Sequence, residues 1–173
     1  MSSAELQLLE AFEQTARKYL ASNQALAGLW WLERKGRHTD LSIASSPPGG
    51  FEVGAKCETY GLYPWAGQWR GAPWEPVKTS VEQLCEEYFG FVRALLSPDA
   101  RLRLIYRRRH LQGAIVELRT SDGWRPFEKM RELVLPFGKK REALLQNRHL
   151  SSRFPFAGLQ LTEWGIYPWH AGA

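Results

Sequence analysis

The chain has 173 residues, 44% hydrophobic and 24% charged, enough to bury about 70% of its unfolded surface, and this composition excludes disordered, collagenous and disulfide-framework classes. No run of about 18 apolar residues is present, which excludes a membrane-spanning helix. The net charge of +5 conceals a split: residues 1–99 carry nine Lys/Arg against twelve Asp/Glu, whereas residues 100–153 carry fourteen against five.

In chain order, residues 3–22 read as an amphipathic helix, because Leu9, Phe12, Ala16 and Leu20 recur at helical spacing. Strands are expected at 29–32 and 41–44, separated by a turn at Gly36. Pro47-Pro48-Gly49-Gly50 marks a loop. Phe51, Val53, Ala55 and Cys57 then alternate with polar residues or glycine in a third, longer strand. This strand should run on through Gly61, where the apolar parity changes and a bulge or bend is expected.

A second unit begins with a helix capped by Thr79 or Ser80, whose stripe is Val81, Cys85, Tyr88, Val92 and Leu95 and which ends at Ser97-Pro98. Leu102, Leu104 and Tyr106 alternate with Arg101, Arg103 and Arg107 in a strand, and Ala114, Val116 and Leu118 form its hairpin partner. An insertion spans about 121–153, in which residues 139–148 read equally as a short helix or a strand. Leu159 and Leu161 close the unit as a third strand.

The two units end alike. Tyr60-Gly61-Leu62-Tyr63-Pro64-Trp65 and Trp164-Gly165-Ile166-Tyr167-Pro168-Trp169 lie 104 residues apart and agree at four of six positions. The expected fold is therefore α+β in one domain over 1–173: an antiparallel sheet from two tandem α-β-β-β units, halves 3–65 and 80–169, with both helices on one face and an extra helix or hairpin in the second unit.

No phosphate loop, dinucleotide-binding glycine pattern, nucleophile elbow or metalloprotease helix is present. His38, His110, His149 and His170 are scattered, and Cys57 and Cys85 fall on apolar stripes, so neither a metal nor a cofactor is expected. Two cysteines, and a start at Met1 without a basic or apolar leader, suit a reducing cytoplasm. Function is therefore sought in contact surfaces. Trp69 and Trp74, with Arg70 between them in a Gly/Pro-rich stretch, are expected to be exposed contact residues, and Trp65 and Trp169 core plugs. Arg101, Arg103, Arg107, Arg109, Lys139, Lys140 and Arg141 are expected to form a basic patch. The leading expectation is a non-catalytic, partner-blocking protein that binds another protein. The rival is nucleic-acid binding on the basic strand, and a third reading is an enzyme with Glu163 in a pocket.

Overall fold

The computed structural model describes residues 3–76, 79–131 and 139–151. Helix α1 (Ser3–Ser22) and a short 3₁₀ turn lead into β1 (Trp30–Lys35), β2 (His38–Ile43), β3 (Val53–Glu58), β4 (Gly61–Ala66) and β5 (Trp69–Arg70). Helix α2 (Val81–Leu95) then leads into β6 (Ala100–Arg107), β7 (His110–Thr120), β8 (Gly123–Arg131) and β9 (Lys140–Leu145). The class is α+β, as the alternation of periods implies.

The strands make two antiparallel sheets instead of the expected one, ordered β1-β2-β3-β4-β5 and β8-β7-β6-β9. The two halves share an order of elements but not of strands. The first sheet is a plain meander, whereas β9 returns to pair with β6. Residues 139–148 thus supply a strand, and the insertion supplies two edge strands in place of one helix or hairpin. The second hexapeptide, Leu159, Leu161, Glu163 and Trp169 lie outside the described residues.

Both helices form where the spacing places them. In α1 the predicted stripe of Leu9, Phe12, Ala16 and Leu20 is buried, together with Leu8. The Ser80 hydroxyl accepts from the Gln83 N–H at 3.2 Å, which satisfies one of the orphan donors at the start of α2. The helices meet through Phe12, Tyr88 and Phe89, the Tyr88 and Phe89 ring centroids lying 5.9 and 5.7 Å from that of Phe12. Helix α2 also reaches the second sheet, where Phe91 stacks on Phe127 at 4.7 Å. The buried side chains of both helices and both sheets consequently form one cluster, each large apolar member contributing about 1.5–3 kcal/mol.

The change of parity at Gly61 is a hairpin, not a bulge. Glu58 pairs with Gly61 across Thr59-Tyr60, so the hexapeptide opens a new strand with Leu62, Pro64 and Ala66 inward. Pro64 is tolerated inside the sheet because its backbone faces the outer edge of β4. There its carbonyl accepts from the Gly71 N–H at 3.0 Å, and the short β5 asks for no donor from position 64.

Candidate binding surface

The inward alternation of β6 buries Leu102 and Leu104, which turns Arg101 and Arg103 to the opposite face of the second sheet. The register sets Arg101 directly across from Glu117 on β7. The Glu117 side chain is only 5% exposed, and both its oxygens are used. One accepts from Arg101 Nε at 2.5 Å, the other from the Arg103 guanidinium. A carboxylate this buried is tolerable only when paired and hydrogen-bonded, and the pairing orients both guanidinium planes. The Arg101 plane then lies over the Trp124 indole on β8, 4.4 Å from the ring centroid. Glu142 lies 3.9 Å from the Arg103 guanidinium and is shared with Lys140, so with Arg148 in the groove lining the cations here outnumber the two carboxylates.

Beside this stack lies an open groove of about 430 Å³, lined by Pro48, Gly49, Arg101, Trp124, Leu144, Leu145, Gln146 and Arg148. Leu144, on β9 opposite Arg103, is 57% exposed. The Pro48–Gly49 wall is held from beneath by Asn147. Its fully buried amide accepts from the N–H groups of Ser46 and Phe51 at 3.2 and 3.1 Å. The same amide donates to the carbonyls of Phe51 and Leu95 at 2.8 and 3.0 Å. Gln146 adds a backbone bond to the Gly49 carbonyl at 3.0 Å and a side-chain bond to the Pro98 carbonyl at 2.8 Å. A rigid wall, an oriented cation, an aromatic plane and an exposed aliphatic side chain thus share one surface, a combination suited to an acidic ligand with an apolar anchor.

The expected aromatic contact pair is elsewhere. Trp69 is 0% and Trp74 4% exposed, so both are core residues and the expectation of exposed contacts is corrected. Trp74 exchanges two backbone hydrogen bonds with Leu62, 2.8 and 2.9 Å, which ties the loop to the edge of β4. Its ring turns inward against Tyr88 and Phe91, at 5.9 and 5.6 Å. Trp69 meets Phe91 at 6.0 Å. Gly71 permits the closure, since a Cβ there would lie 2.5 Å from the Trp69 ring. Arg70 alone reaches the surface, bonded to the Gly67 and Trp69 carbonyls at 2.8 and 2.9 Å. Trp65, expected as a core plug, faces outward on β4 and is only half-buried, with the Arg70 guanidinium 5.6 Å above its ring.

The predicted basic residues divide into two groups. Arg101 and Arg103 belong to the stack. Arg107 and Arg109 lie at the far end of β6, where Arg107 pairs with Lys140 and the Arg108 N–H donates to the Lys139 carbonyl at 3.4 Å. Lys139, Lys140 and Arg141 are exposed there, and Lys140 meets Glu142 at 2.7 Å. The basic residues thus make a stack at one end of β6 and a cationic tip at the other. Trp124 and Asn147 were missed as site residues. Asp122-Gly123 between alternating segments is a hairpin signal that could have placed Trp124, whereas nothing local marks Asn147.

Both cysteines are buried, and burial pushes the Cys85 thiol up to about 12 and Cys57 higher still, which leaves neither a ready thiolate. Among the described residues, no group of three or more His, Cys, Asp or Glu could hold a metal ion, and no helix is long and apolar enough to cross a membrane. Comparison with protein families, with curated proteins and with solved structures finds no match to this chain.

Proposed function

We propose that the chain is a non-catalytic binding protein of the cytoplasm that holds an acidic segment of another protein on the outward face of its second sheet. The observation that carries this is the Arg101–Trp124 stack beside exposed Leu144, in a groove whose wall is fixed by Asn147. The partner's apolar side chain lies between Leu144 and Trp124, and its carboxylate takes the donors that Arg101 and Arg148 have to spare. The cationic tip at Arg107–Arg109 and Lys139–Arg141 adds long-range attraction and raises the rate of encounter. The residual charge also favours a second reading, nucleic-acid binding, with Trp124 as a stacking platform.

A photocrosslinker placed beside the groove at Arg125, used in cells with and without nuclease, separates the two readings. Capture of one protein that survives nuclease and is lost in Leu144→Arg supports the first. Leu144→Arg is expected to weaken that partner by tenfold or more, equivalent to about 2 kcal/mol at a hot spot, with the melting temperature unchanged. Capture that disappears with nuclease, together with oligonucleotide binding that falls steeply with salt, overturns it in favour of nucleic acid.

A further inference from the structure

The outward face of the first sheet carries a site of opposite chemistry. The register aligns Trp31, Ser42, Gly54 and Trp65 in one row across β1, β2, β3 and β4. Trp31 is 46% exposed, although it sits in the regular part of a strand. The Trp65 ring closes over Gly54, where a Cβ would come within 2.4 Å of the indole. At the Trp31 end, a cleft of about 420 Å³ is lined by Leu29, Trp30, Trp31, Ser42, Ser45 and Glu52, with Gly28 and Ala44 completing it.

We infer that this cleft binds the guanidinium group of an arginine side chain presented by a partner protein, stacked on Trp31 and paired with Glu52. Three observations point to that ligand. The Trp31 ring already attracts a cation, since the Lys35 ammonium lies 4.8 Å from its centroid. That ammonium is itself held by Glu33 and Asp40, both at 3.2 Å, so its charge is already paired and does not offset that of Glu52. Glu52 is exposed and receives a hydrogen bond from the Ser42 hydroxyl, and it has no basic partner among the described residues. Its backbone is fixed by the Gly67 N–H, which donates to its carbonyl at 2.7 Å. An indole plane next to a carboxylate edge fits a planar, forked cation better than a compact ammonium. The Ser42 oxygen, whose hydrogen goes to Glu52, keeps lone pairs to accept a further guanidinium N–H.

The test is a titration of the full chain with the capped peptides acetyl-Gly-Arg-Gly-amide, its citrulline counterpart and its lysine counterpart, followed at the Trp31 indole N–H by NMR. The arginine peptide is expected to shift that resonance saturably, the lysine peptide to bind several-fold more weakly, and the uncharged citrulline peptide to leave it in place. Glu52→Gln, at an exposed position, should keep the backbone spectrum and weaken the arginine peptide about tenfold. Trp31→Ala, read at the Ser42 amide, should abolish the response. An equal response to citrulline or lysine, an undiminished response in Glu52→Gln, or none from the arginine peptide would overturn the assignment. Leu144→Arg, on the other sheet, should leave this titration unchanged, so the two surfaces stand or fall separately.

Discussion

The tryptophans of the Gly/Pro-rich loop are buried, whereas Trp31, Trp65 and Trp124, on longer regular strands, keep part of their rings at the surface. Trp69 and Trp74 follow β4 in a segment whose composition reads as surface, yet both rings enter the core against α2. Trp31 and Trp124 stand on ordered strands, and each carries a cation over its ring. The difference lies in what the backbone does. A loop stitched to a sheet edge by the Leu62–Trp74 and Gly71–Pro64 hydrogen bonds presents its side chains as a strand would. A strand at an edge, as β1 and β8 are in their sheets, has one face to fill with core and one to leave outside. Packing decides exposure, and loop composition does not.

The sharpest way to break this contrast is a pair of truncations. Trp74→Ala should cost about 3–5 kcal/mol in denaturant unfolding, the range for an emptied aromatic core site. Trp124→Ala should cost no more than about 1–2 kcal/mol, the worth of a partly exposed cation–π contact, while removing the stacking plane of the groove. Comparable losses at the two sites would show that the loop is not pinned in solution as it is here.

The second loop, between β2 and β3, is held by a buried amide instead of an aromatic ring. Asn147→Ala would strand the N–H groups of Ser46 and Phe51 and the carbonyl of Leu95 away from water. At about 1–3 kcal/mol for each buried group left unsatisfied, offset where water enters, a loss of about 2–3 kcal/mol is expected. Amide hydrogen exchange should accelerate at Phe51 before it does at Leu41, in the middle of β2. Uniform acceleration would mean that the clamp stabilises the whole fold and not the groove wall.

The sequence carries the elements better than their neighbours. Both helices and the first three strands follow from periodicity, because each turns one regular face toward the core. The hexapeptide at Tyr60 suggests a bulge or bend from its change of parity, but a tight hairpin reverses parity as well. Only the partner of Gly61, which is Glu58, tells them apart. The basic strand was visible, but its neutralising acid was not. Glu117 lies 14 and 16 residues from the arginines it binds, and the β6–β7 register alone brings them together. Asn147 is less legible still, since its partners lie 52 to 101 residues away.

The smallest expected effect concerns the third tie on the tryptophan loop. The Ala72 N–H donates to the Glu128 carboxylate at 2.8 Å, which links the loop to β8. Burial pushes the Glu128 carboxyl above the ordinary Glu range, and the Ala72 hydrogen bond offsets part of that rise. Between the unfolded value of about 4.3 and the raised folded value, the native state holds more protons than the unfolded chain. The contribution of Glu128 is therefore fully present below the unfolded value and is lost as pH rises through the folded one. Glu128→Gln keeps a carbonyl acceptor for Ala72 and cannot ionise. It should melt above the wild type at neutral pH, by a margin that narrows on acidification and closes once the wild-type carboxyl is protonated. A margin that stays constant with pH would show that the carboxylate is not desolvated, and that the loop rests on its backbone bonds and its two buried rings alone.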